Sequence, residues 1–185
     1  AAKYTVGIGQ ERMSVPGADE DVVTMAANAC MPLLEGMVER GEDPGAIRTI
    51  LFATETGIDQ SKAAGVYLHS LLKMSPRCRV VELKQACYSA TAAVQLATAW
   101  VARKPNEKVL VIASDIARYE RQTPGEATQG CGAVAMIVSA EPRLIVLDPE
   151  TGVHTEDVMD FWRPNYRSTA LVDGKYSTKV YLLSL

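Results

Sequence analysis

Lys84–Ala102 reads KQACYSATAAVQLATAWVA, and from Gln85 to Ala102 no residue carries a charge. From Tyr88 onward the segment is apolar or small on every side of a helical turn: Ala90, Ala92, Ala93, Val94, Leu96, Ala97, Ala99, Trp100 and Val101. A surface helix shows one apolar stripe, whereas a helix that is apolar all round is buried on every side. The run reaches membrane-spanning length, but Gln85, Ser89, Thr91, Gln95 and Thr98 interrupt it. That polarity favours a buried core helix over a span. A helix of this kind lies between two layers, so a second sheet or a partner has to cover its far face.

Working outward, the flanks alternate between strand and helix. Cys78–Lys84 alternates like a strand and feeds the helix. Ile47–Thr54 (IRTILFAT), Lys108–Ser114 (KVLVIAS) and Gly132–Ser139 (GAVAMIVS) read as buried strands, with Arg143–Leu147 as an antiparallel partner of the last. A first helix runs from a cap at Asp19 or Asp21 to about Val38, with Val22, Met25, Ala26, Ala29, Leu33 and Met37 at helical spacing. Arg40–Gly45 is a loop. A second helix is expected from Ile58 or Asp59 to about Lys73, and a final one from near Ser177. Helices alternating with apolar strands imply an α/β layered sheet. Residues 1–150 form the expected layered body, and residues 151–185 a more polar, aromatic connecting segment.

Composition narrows the function classes. The chain has 185 residues, 48% apolar and 22% charged, which excludes disorder and suffices for one domain with a real core. Nineteen Lys and Arg against 22 Asp and Glu leave a formal net charge of −3. There is no basic excess for nucleic acid. Ala1–Gln10 holds no apolar block of signal-peptide length, and no membrane partner is expected. Cys30, Cys78, Cys87 and Cys131 contain no CxxC pair, a spacing that does not suit structural zinc. Irregular cysteines without an export signal point to reduced thiols in a cytoplasm.

Several residues carry chemistry or a plainer role. Cys87 sits where a strand turns into the buried helix, and the N–H groups of a helix start stabilise a thiolate and lower its pKa. The same groups can receive an oxyanion, and a strand-to-helix turn can expose a nucleophile above a sheet. The alternative is a buried thiol. Glu55, at the end of IRTILFAT, stands where open-sheet ligand sites form and where partial burial tunes a general base; the alternative is a carboxylate at a helix entry. Asp59 reads as the N-cap of the second helix before it reads as a substrate ligand. Asp115 follows KVLVIAS with the same ambiguity. The glycines around Thr128, in PGEATQGCGAVA, precede a strand rather than open a helix, so they suit a tight turn and not a dinucleotide site. His69 and His154 have no dyad spacing to a cysteine and read as packed or solvated.

On these segments the sequence resembles the hydroxymethylglutaryl-CoA synthase family of the thiolase-like superfamily. The matching motifs are GIGQERM (Gly7–Met13), ATETGIDQSKAA (Ala53–Ala64), KQACYSATAAVQLA (Lys84–Ala97), KVLVIASDIARY (Lys108–Tyr119), GEATQGCGAVAM (Gly125–Met136) and DFWRPNYRSTALVDGKYST (Asp160–Thr178). Their wording is similar to bacterial mevalonate-pathway members, which serve isoprenoid biosynthesis, more than to polyketide β-branching ones. The resemblance implies a thiolase-like αβαβα sandwich of which this chain covers mainly the N-terminal half. It implies that Cys87 takes the acetyl group from acetyl-CoA and that Glu55 deprotonates the acetyl methyl for addition to acetoacetyl-CoA. It places Tyr88, Asp59, Asp115, Thr128, Asp160 and Ser177 around the site. No metal and no organic cofactor is implied, because the thioester itself acidifies the α-carbon; the coenzyme A thioesters are substrates. A cytoplasmic homodimer is implied as well. Family members are about twice as long, and their second half supplies a histidine that neither His69 nor His154 matches. Two other readings stand beside this one: a related condensing enzyme acting on carrier-protein thioesters, and a catalytically incomplete half-domain that acts as an assembly unit.

Overall fold

A computed structural model describes residues 2–185; Ala1, where the expected layered body begins, lies outside the described residues. Two compact units make up the chain. One comprises Pro16–Ile116 and Cys131–Ile145; the other collects the N-terminal residues through Val15, Ala117–Gly130 and Val146–Leu185.

The first unit is built on a four-stranded sheet of β1 (Ile47–Ala53), β2 (Arg79–Leu83), β3 (Lys108–Ala117) and β4 (Gly130–Val138), in the order β2-β1-β3-β4. The central strand β1 pairs in parallel with both β2 and β3, and its last residue, Ala53, stands opposite Leu83 and Ala113. The C-terminal ends of β1 and β2 therefore line up, and β3 runs on past them to Ala117. Successive residues of a strand face opposite sides, and the sheet uses both. Ile50, Phe52, Leu110 and Ile112 pack with Val22, Met25, Ala26, Cys30 and Met37 of helix α2 (Val22–Glu39), and with Ala64 and Leu68 of α3 (Ala64–Leu71). Leu51, Val109 and Val111 pack on the other side with Ala93, Ala97 and Val101 of α4 (Tyr88–Arg103). Each fully buried Leu, Ile or Phe contributes roughly 1.5–3 kcal/mol, so β1 anchors an αβα layering. Asp21 caps α2 as expected, accepting from the N–H groups of Val23 and Thr24 at 2.8 Å while Thr24 returns the bond to its backbone.

Four expectations change. The second helix does not open at Ile58 or Asp59: residues 54–63 are a loop, and α3 starts at Ala64. Arg143–Leu147 forms no strand, and Leu144, Ile145 and Val146 are 91%, 74% and 79% exposed; apolar residues make a strand only where a neighbouring edge pairs with them. Helix α4 is not buried on every side. Its buried positions are Ser89, Ala93, Ala97 and Val101, one stripe at four-residue spacing against the sheet, while Tyr88 and Leu96 are about half exposed (51% and 48%). A single sheet covers one side of a helix and leaves the other apolar side in solvent. The last helix, α5 (Gly174–Leu183), begins before Ser177, because Asp173 caps it by accepting from the Tyr176 N–H at 3.0 Å.

Within the second unit a short helix, α1 (Ala2–Thr5), precedes an antiparallel pair of β5 (Phe161–Trp162) and β6 (Leu171–Val172), which leads into α5. Tyr119 meets Phe161 edge to face, with 6.4 Å between ring centroids.

Candidate active site

Glu55 and Cys87 follow the aligned ends of β1 and β2, and Asp115 lies in β3 just beyond the Ala113 that faces the end of β1. Asp115 organises this edge. One of its carboxylate oxygens, Oδ1, accepts from the Thr54 hydroxyl at 2.9 Å, the Glu55 N–H at 2.8 Å, the Thr56 N–H at 3.2 Å and the Thr56 hydroxyl at 2.9 Å. The Thr56 oxygen in turn accepts from the Ile116 N–H at 3.1 Å. The end of β3 thus grips the turn after β1, and the backbone of half-buried Glu55 is held on both sides by threonines that the sequence reading did not single out. The pattern Thr-Glu-Thr at a strand end was the available signal, since hydroxyls next to a strand end bond to a carboxylate on its neighbour.

Cys87 stands at the N-cap of α4 and is exposed. The chain enters α4 through Ala86, whose φ of 44° lies in the left-handed region that a side chain disfavours. The Ser89 hydroxyl, buried beneath, donates to the Ala86 carbonyl at 2.9 Å and holds this bend. The sharp turn is what lifts the sulfur clear of the sheet.

The thiol is not acidified, contrary to the expectation from the helix start. Partial burial of the sulfur pushes the Cys87 thiol above its ordinary value, and the negative charges of Glu55 and Asp115 push the same way; a bond to its own backbone pulls weakly back. The residue as a whole is exposed, so water withdrawn from the sulfur alone accounts for the first effect. Desolvation is the larger cause and the two carboxylates add to it. Cys30 shows what burial alone does: deep in the core, its thiol is pushed up to about 12.

The other expected residues fall in three places. Tyr88 opens α4, and its hydroxyl donates to Gln95 Oε1 at 3.0 Å along the outside of the helix. Asp59 is exposed in the 54–63 loop and is not the N-cap of α3. It closes a turn by accepting from the N–H groups of Ser61 at 2.7 Å and Lys62 at 2.8 Å. Those two bonds, Lys62 first, hold its carboxyl below the ordinary range. Thr128, Asp160 and Ser177 belong to the second unit. There the Thr128 hydroxyl donates to the Gly125 carbonyl at 2.8 Å, and the Ser177 hydroxyl donates to Asp160 Oδ2 at 2.8 Å.

Neither histidine joins the strand-end cluster. His69 Nε2 lies 2.9 Å from the Ser75 carbonyl, and a carbonyl only accepts, so that nitrogen carries the proton. His154 lies 3.5 Å from Glu156 in an exposed pair. Among the described residues no group of three or more His, Cys, Asp or Glu side chains could hold a metal ion. No helix among them is long and apolar enough to cross a membrane.

Comparison with known proteins gives this edge its context. The family of the hydroxymethylglutaryl-coenzyme A synthase N terminal matches residues 1–142. The chain belongs to the hydroxymethylglutaryl-CoA synthase family. It is similar to a hydroxymethylglutaryl-CoA synthase of Enterococcus faecalis, with 46% identity over 98% of this chain and 46% of the relative. It is also similar to a solved structure of MvaS in complex with 3-hydroxy-3-methylglutaryl coenzyme A, with a TM-score of 0.90, 43% identity, and 98% of this chain and 44% of that one covered. A more distant likeness is to the polyketide biosynthesis 3-hydroxy-3-methylglutaryl-ACP synthase PksG of Bacillus subtilis, 37% identical over 78% of this chain and 37% of that protein. The chain thus spans about half the length of the synthases it matches, and its α/β fold is that of their N-terminal half.

Proposed function

We propose that this chain carries the nucleophile and the general base of a hydroxymethylglutaryl-CoA synthase of the mevalonate type. The supporting observation is the pairing of Cys87 and Glu55 at the ends of adjacent parallel strands, close enough that the carboxylate charge raises the thiol. The Cys87 sulfur attacks the acetyl carbonyl of acetyl-CoA. The bond from that carbon to the CoA sulfur breaks, and the departing thiolate takes up the proton that Cys87 loses. The thiolate that attacks is opposed by the neighbouring carboxylates, whereas the acetylated cysteine is neutral and is not, and Glu55 then takes a proton from the acetyl methyl. The carbanion equivalent forms a carbon–carbon bond to the ketone of acetoacetyl-CoA, whose oxygen gains a proton. Water hydrolyses the Cys87 thioester, restoring the thiol and releasing hydroxymethylglutaryl-CoA.

Tyr88, Asp59, Asp115, Thr128, Asp160 and Ser177 line or order the site in this proposal, and the protein works as a cytoplasmic homodimer. Carrier-protein thioesters are the second substrate class, suggested by the likeness to PksG; the higher identity and fuller coverage by the CoA-type synthase favour the first.

The test is labelling of the intact protein with acetyl-CoA carrying a labelled acetyl group. Cys87→Ala abolishes covalent label, and retention of label after that substitution sinks the assignment. Glu55→Ala leaves acetylation in place and lowers condensation by about a hundredfold or more; equal loss of both steps assigns Glu55 a structural role. Label delivered from an acetylated carrier protein but not from acetyl-CoA selects the second class.

A further inference from the structure

Glu82, next to the C-terminal end of β2, bonds the candidate base loop where it closes into α3 and stands beside Gly57 within it. Its Oε2 accepts from the Ala64 N–H at 2.6 Å, which closes the loop where α3 begins. That contact replaces a missing cap: the N-cap residue of α3 is Ala63, which has no side-chain acceptor. Its Oε1 occupies the space beside Gly57, where an added Cβ would lie 3.0 Å from that oxygen. Gly57 follows Glu55 by two residues, so the same carboxylate that closes the loop by a charge-assisted hydrogen bond leaves beside Gly57 no free room for a side chain. The same residue sits in register with Phe52 of β1, one pair before Leu83 opposite Ala53, and the Thr54 N–H donates to the Leu83 carbonyl at 3.2 Å. From Leu83 the chain runs through Ala86 into Cys87.

We infer that Glu82 is a positioning residue that ties the strand leading into Cys87 to the loop carrying Glu55, and so sets the distance between sulfur and base. The inference rests on the roles given above to those two residues. Asp115 fixes the backbone of Glu55 from β3; Glu82 fixes the remainder of its loop from β2. Cys87 acylation needs only the sulfur and the helix start, whereas proton removal from the bound acetyl group needs the two strand ends at a set spacing. Loss of Glu82 therefore falls on the second step.

The test compares Glu82→Gln, which keeps an acceptor for the Ala64 N–H, with Glu82→Ala, which does not, in the intact protein. Cys87 acetylation and condensation are measured separately, together with hydrogen exchange of the Ala64 amide. Glu82→Ala is expected to leave the acetylation rate within about threefold and to lower condensation by about tenfold or more, since small displacements of a reacting group carry large penalties. Glu82→Gln is expected to restore most of the condensation rate. Gly57→Ala, which pushes on the same oxygen from the other side, is expected to show the same split, and adding Glu82→Ala to it is expected to cost less than the sum. If Glu82→Ala does not fold, the Gly57→Ala split decides. Equal loss of both steps, or a Gln variant no better than Ala, overturns the inference. A wild-type protein whose Cys87 takes no acetyl group overturns the functional reading instead. In that case faster Ala64 exchange in Glu82→Ala, restored in Glu82→Gln, still establishes the brace, and unchanged exchange removes it.

Discussion

The two ends of the parallel strands β1, β2 and β3 handle charge in opposite ways. At the N-terminal end, Glu42 accepts from Lys108 Nζ at 2.6 Å and from Arg40 Nε at 2.7 Å, and Arg143 stands 3.9 Å away. The bonds to Lys108 and Arg40 pull the Glu42 carboxyl down to about 2. At the C-terminal end, Asp115 is answered by hydroxyls and backbone N–H groups, and the group facing it and Glu55 is a thiol, which is pushed up. Charge met by charge holds elements together. Charge met by dipoles leaves a negative field beside a sulfur, and that field favours the neutral thiol over the thiolate.

The largest effect that would break this contrast is at Asp115. Asp115→Ala strips an acceptor from four donors, and urea denaturation is expected to show a loss of about 2–3 kcal/mol; a change no larger than that of a surface charge would mean the hub is not structural. Next comes the field itself. In Glu55→Gln the iodoacetamide reaction of Cys87 is expected to set in at lower pH than in wild type, because one of the charges that raise the thiol is gone; an unmoved profile would remove Glu55 from the neighbourhood of the sulfur. The smallest effect is at the other end. Glu42 has a folded-state pKa below its ordinary 4.5, so what it contributes is present above that value and is lost as pH falls from about 4.5 toward about 2. Glu42→Gln is expected to leave the melting temperature at neutral pH nearly unchanged, as for an exposed ion pair, and to flatten the acid decline over that window. A large loss at pH 7 would show that the network is more than a surface clasp.

Much of the layering was legible because it depends on local pattern. The apolar runs of β1 and β3 and the spacing of α2 announce themselves, and Asp21 with Thr24 marks a helix start by adjacent residues. The beginning of α3 was misread for a definite reason. Asp59 has the chemistry of a cap and uses it, but on a turn of its own, while the acceptor that closes α3 is Glu82, eighteen positions along the chain. The candidate site was legible in the residues proposed to react and illegible in their supports. Cys87 and Glu55 stand out as a thiol and a carboxylate at strand ends, whereas Thr54, Thr56, Ser89 and Glu82 matter through contacts with residues distant in sequence or through a bent backbone. The expected acidity of Cys87 failed because a helix start is a local feature, whereas the burial that raises the thiol most, and the carboxylates of Glu55 and Asp115 that add to it, come from the tertiary fold.

Sequence alone settled which segments are apolar enough to be strands and helices, which residues are chemically able to react, and which family supplies the pattern. Those properties follow from side-chain chemistry and from repeats of two and three to four residues. Only the tertiary structure decided that Glu55, Cys87 and Asp115 come from three neighbouring strands, that α4 buries one stripe and exposes the other, and that the thiol is raised rather than lowered. Each of those depends on distances between residues far apart in the chain, and hydrophobic burial, hydrogen bonding and Coulomb forces all act through distance in space.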